Sequence, residues 1–346
     1  MTTRHHGLDA VRGLCALVVA TYHFLAWKDV ADYPSLAQFA VYAFFTLSSV
    51  TLCMVYGNRF SRTISADDVV RYAINRASRI LPLLALAALM AIPINLFVGA
   101  PIPDELAKAF FTGSGLFAFG PAGPLGNAGG TWSLGIELLF YFLFPVLCIL
   151  LINRSVRTLV AVAGITLLAQ CLFAWFMLHD STVEEKWPLY ASPLSFAFYF
   201  IAGFAGYRVK LLHRFNMLVG LTLVLGAVCI SLLVPATATQ LLLPPYSLIL
   251  PAMVALGVSC IFHSQAHPAA IRAFEFLGQI SYSSYLLHPF AFFTVGVFTR
   301  HLMPDSGPWV YGLLYFSLTV AASVASYRVI EVPVRDFIRR RTAAAR

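Results

Sequence analysis

The chain has 346 residues, of which 60% are hydrophobic and only 11% are charged, whereas a soluble domain has about 25% charged residues. This composition excludes a soluble globular protein. The net charge of +8 would suggest nucleic acid as the partner of a soluble protein, but the basic residues are divided among the loops and form no patch.

Ten apolar runs are long enough to cross a membrane, which takes about 20 residues in a helix. In chain order they are roughly 8–27, 36–56, 79–98, 131–152, 156–178, 189–207, 215–234, 241–262, 277–299 and 308–328. No small-residue cleavage site follows the first run, so it is predicted to be a retained helix and not a signal peptide. The sequence therefore predicts an all-α polytopic membrane protein of one domain, with no appended soluble domain.

The basic residues also predict the orientation. Nineteen of the 23 Lys and Arg residues fall in loops that would share one side with both termini, and the other side has only Lys28, Lys108, Lys186 and Arg300. Cytoplasmic loops carry the excess of Lys and Arg, so both termini are predicted to be cytoplasmic. An even number of spans also requires both termini to lie on the same side of the membrane.

The segment 99–130 between the third and fourth runs is rich in glycine and proline. Connections of this length without secondary structure are uncommon and are often functional. The sequence therefore predicts a re-entrant element or a lid on the outer side.

Two ionisable residues share one face of the first predicted helix. Arg12 and His23 are eleven residues apart, which is about three turns and about 16 Å of helical rise. Arg12 lies near the cytoplasmic end, where a guanidinium can hold a phosphate, and His23 lies deep near the outer end. Taken singly, an arginine that reaches the interface and a hydrogen-bonded core histidine would be the more ordinary interpretation.

Glu137 lies six residues inside the fourth run, about 9 Å deep by helical rise. A carboxylate at this depth needs a partner, and His23 reaches a similar depth. We therefore expect Glu137 to orient His23 and to raise its basicity. The alternative is a structural hydrogen bond between two spans.

Two further groups of residues are candidates. Arg76 and Arg79 lie on one helix face at the cytoplasmic end of the third run. They are either a phosphate-binding site or a positive-inside signal that sets the topology. The ninth run carries Tyr282 and His288 toward the middle of the membrane, and His288 before a proline could be only a hydrogen-bonding residue at a kink.

In combination, these motifs resemble those of a known family. The matching pieces are Leu8-Asp9 with Arg12-Gly13 and His23; Arg76 and Arg79 with Ile80 and Pro82; Trp132-Ser133-Leu134 with Glu137 and Phe140-Tyr141; Leu277-Gly278 with Ser281-Tyr282, Tyr285-Leu286 and His288; and Glu331 with Pro333. Five pieces in order on ten predicted spans resemble the acyltransferase-3 family of bacterial integral-membrane O-acyltransferases. Leu83 departs from the family pattern, which often has an aromatic residue there.

The resemblance implies a multi-pass protein of the bacterial cytoplasmic (inner) membrane that moves an acyl group from cytosolic acyl-CoA, most often acetyl-CoA, to a hydroxyl of a cell-surface or exported carbohydrate. It implies that Arg12 and His23 are the family's essential pair, that Glu137 is its motif carboxylate, and that Arg76 and Arg79 are its cytoplasmic arginine pair. Some relatives carry an extracytoplasmic hydrolase-like domain, so a separate acyl-transfer partner on that side stays open.

These expectations combine into a predicted mechanism. Arg12, Arg76 and Arg79 hold the coenzyme A phosphates, with Tyr282 and His288 in the same cofactor site. His23 either deprotonates the acceptor or carries the acyl group, and the catalytic set is Arg12, His23 and Glu137. The activated thioester needs no metal, and the six cysteines have no ligand spacing.

Two other classes of function compete with the enzyme. A secondary transporter or flippase of a glycan or lipid-linked intermediate would also have ten spans with buried charges, but a transporter has no reason to bind acyl-CoA. A structural scaffold would not need ionisable residues at these depths. Among donors, succinyl and longer acyl groups stay open, and the expected partners are the donor, the carbohydrate and membrane lipids, not nucleic acid.

Overall fold

A computed structural model of the chain describes residues 5–208, 216–234, 236–264 and 268–344. Within these ranges all regular structure is helical. The helices are α1 His6–Trp27, α2 Pro34–Tyr56, α3 Ala66–Phe97, α4 Ile102–Ser114, α5 Ala122–Leu125, α6 Thr131–Leu151, α7 Val156–Leu178, α8 Trp187–Tyr190, α9 Ala197–Arg208, α10 Asn216–Leu233, α11 Tyr246–Phe262, α12 Pro268–Leu302, α13 Pro308–Ser326 and α14 Val332–Ala344.

Six helices in the described ranges are long and apolar enough to cross a membrane. These are α1, α2, α3, α6, α7 and the continuous run Pro308–Ile338. Each of the ten predicted spans overlaps a helix, but the sixth contains a break and ends in α9 with only 12 residues. The all-helical membrane fold is thus supported, whereas ten spans and cytoplasmic termini stay predictions. Residues 1–4 and 345–346, and residue 215 of the seventh predicted span, lie outside the described ranges.

Helix α1 packs between α2 and α12, and glycines set its close approach to α12. A Cβ atom added at Gly13 would lie 2.6 Å from the Cβ of Leu277, and one added at Gly278 would collide with the backbone carbonyl of Asp9. Small residues of this kind let membrane helices approach backbone to backbone. The motif pieces Arg12-Gly13 and Leu277-Gly278 therefore meet at one helix crossing.

Helix α2 lies at the centre of the bundle, in contact with α1, α6, α9, α10 and α11. It contains no charged residue, and its small polar side chains allow close neighbours. Gly203 of α9 packs directly on Ser49, and Thr46 donates a hydrogen bond of 3.2 Å to the Tyr199 carbonyl. The polar face that remains, which includes Ser48 and Thr51, borders the cavities described below.

The segment 99–130 folds into α4, a 3₁₀ turn and α5, and α4 packs on α3. The buried carboxylate of Glu105 accepts hydrogen bonds from the side-chain amides of Asn95 at 3.0 Å and Asn127 at 2.8 Å. Asn127 also donates to the carbonyl of Ala88 at 2.9 Å. The region predicted as a re-entrant element or lid is thus a folded helical segment held on α3.

The close crossing of α1 and α12 gives a stability prediction. Gly278→Ala places a methyl group against the backbone of α1, and overpacking of this kind costs about 1–3 kcal/mol. We expect a clearly lower melting temperature for the detergent-solubilised protein. Gly164→Ala is the matched control, because a Cβ there meets nothing within 4 Å and alanine is the better helix former. Equal melting temperatures for the two variants would contradict the proposed close packing.

Candidate active site

Three cavities lie in sequence through the bundle. The first, which we call the arginine cavity, has a volume of about 400 Å³ and is lined among others by Asp9, Arg12, Arg76, Arg79, Glu331 and Arg335. The central cavity is narrow, about 70 Å³, and is lined among others by Ser48, Glu137, Tyr141 and Tyr285. The histidine cavity, about 450 Å³, is lined among others by His23, Gln38, Trp132 and Trp187.

The lining residues that the cavities share establish this order. Arg12, Arg76, Arg79 and Tyr282 border both the arginine cavity and the central cavity. The central and histidine cavities share Val41 and Tyr285, so the central cavity lies between the other two. The two larger cavities have the volume of ordinary small-molecule sites.

The arginine cavity carries an excess of positive charge. Four arginines line it against two carboxylates, Asp9 and Glu331. Asp9 pairs with Arg12 at 3.2 Å, and Glu331, at the end of a π-helical turn that joins α13 to α14, accepts a hydrogen bond from Ser283. Arg79 remains exposed to the cavity, so the cavity is suited to an anion with several charges.

Arg76 has unused hydrogen-bonding capacity. Its guanidinium lies over the Tyr56 ring at 5.4 Å and interacts with the Tyr56 hydroxyl at 3.4 Å. Its buried Nε–H has no hydrogen-bond partner among the described residues. A buried guanidinium donor without a partner calls for an explanation, and an anionic ligand in the arginine cavity supplies one.

Glu137 lines the central cavity and is held by two hydroxyl groups. Ser48 of α2 donates to its carboxylate, and the Tyr141 hydroxyl, one turn along α6, donates to the same oxygen at 2.5 Å. Arg79 is close enough to interact with this carboxylate electrostatically. Glu137 therefore places a negative charge near Arg79 and holds Tyr141 in place.

The predicted contact between Glu137 and His23 is wrong. Within the described residues the hydrogen bonds of Glu137 go to Ser48 and Tyr141, and the side-chain partner of His23 is another histidine. Equal depth along two helices does not make two side chains neighbours, because helix α6 packs on α2 and α3, whereas α1 packs on α12 and α2.

His23 pairs with His288 across the α1–α12 interface. The Nε2 atom of the fully buried His288 lies 3.1 Å from Nδ1 of His23, and the two rings stack with centroids 4.9 Å apart. Trp27 packs on the His23 ring at 4.6 Å. His288 thus lies behind His23 and away from the arginines, so the structure does not place it where the coenzyme phosphates were predicted to bind.

The hydrogen bonds assign the tautomers of this pair. A backbone carbonyl can only accept, so Nδ1 of His288, 3.2 Å from the Ser284 carbonyl, carries the proton and its Nε2 is an acceptor. Nδ1 of His23, 3.1 Å from the Val19 carbonyl, likewise carries a proton and can share it with His288. Nε2 of His23 is then left with a free lone pair, as a general base requires.

Tyr285 separates the central cavity from the histidine cavity. Its hydroxyl lies 2.6 Å from the Ser133 hydroxyl and donates to the Gly130 carbonyl at 3.1 Å. Gly130 has a φ of +78°, a conformation that favours glycine, and it borders the histidine cavity next to the tyrosine ring. Glu137 and His23 therefore line cavities on opposite sides of this tyrosine.

Comparison with known proteins identifies the family of the chain. A family model described as an acyltransferase domain matches residues 5–328. The chain belongs to the acyltransferase-3 family. No curated protein and no solved structure gives a significant match. Family membership supports a membrane O-acyltransferase and suggests carbohydrate as the acceptor class.

The structure of this acyltransferase groups the sequence-predicted residues in three places. Arg12, Arg76, Arg79 and Tyr282 lie together at the boundary of the arginine and central cavities. Arg12 is already engaged there by Asp9, the Leu47 carbonyl and the Thr51 hydroxyl. Glu137 lines the central cavity, His23 the histidine cavity, and His288 supports His23.

Sequence reasoning assigned no role to the residues that connect these places, although Tyr141 and Tyr285 belong to the motif pieces. Ser48 and Tyr141 hold Glu137, and Tyr285 divides the cavities. Tyr141 follows Glu137 by four residues, which puts both on one helix face, and this spacing could have identified it. Ser48 has no such signal, because small hydroxyl residues are ordinary in membrane helices.

The histidine pair gives a prediction about acyl transfer. His288→Leu removes the acceptor for the Nδ1 proton of His23, so we expect the transfer rate to fall about 10- to 100-fold, as for other residues that orient a reacting histidine. His288→Gln keeps an acceptor oxygen and should recover most of the activity. The rate of acyl transfer measures both effects, and the affinity for coenzyme A should stay unchanged. An equal loss in both variants would contradict the tautomer assignment.

Proposed function

We propose that this protein moves an acyl group, acetyl in the first instance, from acyl-coenzyme A to a hydroxyl of a cell-surface or exported carbohydrate at the bacterial cytoplasmic membrane. The observation that carries the proposal is the line of three cavities, with arginines at one end and a histidine with a free Nε2 at the other. A donor with several phosphates and an uncharged reacting end matches the charge distribution of this line.

The donor enters through the arginine cavity in this proposal. Coenzyme A carries a diphosphate and a 3′-phosphate, and guanidinium groups are the side chains best suited to phosphate. Arg76 and Arg79 meet these groups, and Tyr282 lines the way inward. The pantetheine arm then runs through the narrow central cavity, which admits a thin chain and excludes the nucleotide.

The chemistry takes place beside His23. Nε2 of His23 takes the proton of the acceptor hydroxyl while the hydroxyl oxygen attacks the thioester carbonyl. The new C–O bond replaces the C–S bond, and the proton passes from His23 to the departing thiolate. His288 holds the ring of His23 in the required tautomer. The thioester reaches His23 when Tyr285 moves away from Ser133.

Arginine variants test the donor half of the proposal. Arg79→Gln removes a guanidinium that lines both the arginine and the central cavity, so the dissociation constant for coenzyme A should rise about 10-fold. Arg71→Gln, on the same helix but outside the cavities, is the matched control. Calorimetric titration of the purified protein with coenzyme A measures both constants. An unchanged constant for Arg79→Gln would remove phosphate binding from this cavity.

The acyl-transfer half is tested with acetyl-CoA labelled on its acetyl group, supplied to inside-out membrane vesicles that contain the native glycan. Wild-type protein should move label to glycan, and His23→Ala at matched expression should reduce transfer about 100-fold or more, because a general base contributes that much. Equal labelling in the two samples would contradict the role of His23.

The same experiment distinguishes the competing function. A protein that binds coenzyme A but transfers no acetyl label uses another acyl donor, such as succinyl-CoA. A protein that binds no coenzyme A at all contradicts the enzyme proposal and favours a transporter or flippase, because transport has no need for an activated thioester.

A further inference from the structure

We infer that the histidine cavity is the acceptor site and that it selects an uncharged sugar unit over an anionic one. The inference rests on the proposed function, since it assigns the second substrate of the same reaction. Three independent features of the cavity support it: an aromatic wall, a buried amide with an unused donor, and the sign of its charge.

The aromatic wall consists of three rings from two helices. Trp132 of α6 meets Trp187 and Tyr190 of α8 with ring centroids 5.7 Å away in each case, and all three line the cavity. Trp187 also packs directly on Gly123, so the segment 99–130 holds its ring in place. The C–H groups on one face of a pyranose ring pack well on such rings, because aromatic side chains combine apolar area with little flexibility.

Gln38 supplies a polar group inside this wall. Its side chain is only 2% exposed, and its Oε1 accepts a hydrogen bond from the Tyr190 hydroxyl. Its Nε2 makes no hydrogen bond of normal geometry within the described residues, although the amide interacts with Tyr42. A buried amide donor that is left over at the edge of a cavity fits a hydroxyl ligand, because a hydroxyl oxygen can accept from it.

The charge of the cavity is negative. Asp32 and Glu184 line it, and no Lys or Arg does so among the residues that the structure describes. Both carboxylates belong to exposed residues, and Asp32 interacts with the Tyr22 hydroxyl. A uronic acid, sialic acid or phosphorylated sugar would bring a third negative charge into this space, and like charges oppose binding. An uncharged sugar meets no such penalty.

The two ends of the cavity line therefore have opposite sign. Among the described residues, arginines outnumber carboxylates in the arginine cavity, and Asp32 and Glu184 are the only Asp, Glu, Lys or Arg side chains that line the histidine cavity. The polyanionic donor is repelled from the acceptor end, which makes the direction of loading specific. If the acceptor were also anionic, charge would no longer distinguish the two substrates.

The test uses purified protein in lipid nanodiscs, where both faces are accessible, with labelled acetyl-CoA and two matched acceptors. Methyl glucoside and methyl glucuronide differ only at carbon 6, where the second bears a carboxylate. We expect the wild-type kcat/KM for the glucoside to exceed that for the glucuronide by about 10-fold or more. In the double variant Asp32→Asn with Glu184→Gln this ratio should fall toward one.

Asp305→Asn is the control for the loss of a carboxylate outside the cavity. Asp305 is exposed in the loop between α12 and α13 and does not line the cavity. Its neutralisation removes one negative charge, as each cavity substitution does, and should leave the wild-type ratio of the two kcat/KM values unchanged. Trp187→Leu should raise the KM for the glucoside without changing the affinity for coenzyme A. A raised KM in Trp187→Leu would locate the sugar in the histidine cavity, and this measurement does not depend on the folding of the double variant.

The outcomes separate this inference from the function on which it rests. Equal rates with the two sugars in wild-type protein, or a ratio that the double variant leaves unchanged, would overturn the charge selection. An unchanged KM for the glucoside in Trp187→Leu would overturn the assignment of the cavity to sugar. Failure to bind coenzyme A would instead overturn the proposed function.

Discussion

The close crossing of α1 and α12 is the contact on which the site depends. Gly13 and Gly278 bring the two backbones together near Arg12, and the same helix pair carries His23 against His288 farther along. Because both helices are rigid and packed along their length, a displacement at the glycines would also shift the histidines. One crossing thus sets the position of the anion-binding end and of the base together.

Charge is arranged along α1 in a way that suits two different ligands. The arginines are concentrated at one cavity, and Glu137 places a negative charge near Arg79. The paired histidines carry no formal charge in the assigned tautomers, and the carboxylates Asp32 and Glu184 line the histidine cavity. Charges buried in a membrane are costly unless they have partners or line a cavity. Here each ionisable side chain of the site has a partner or lines a cavity.

How much of the site could be predicted differs from residue to residue. Helical geometry predicted a large distance between Arg12 and His23 along α1, and the two residues line different cavities. It failed for His23 and Glu137, because periodicity gives the depth of a side chain and its face on one helix, but not which neighbouring helix that face meets. The partner of His23 was instead His288, some 265 residues away in sequence.

The sequence alone determined the class of protein, its helical composition and its family. Long apolar runs can satisfy their backbone hydrogen bonds in a membrane only as helices or closed barrels, and the motif pieces occur in family order. The order of the cavities, the tyrosine between them and the opposite charges at their ends were decided only by the tertiary structure. Each of these depends on the rotation and crossing of neighbouring helices, and those are set by side-chain packing between residues that lie far apart in the chain.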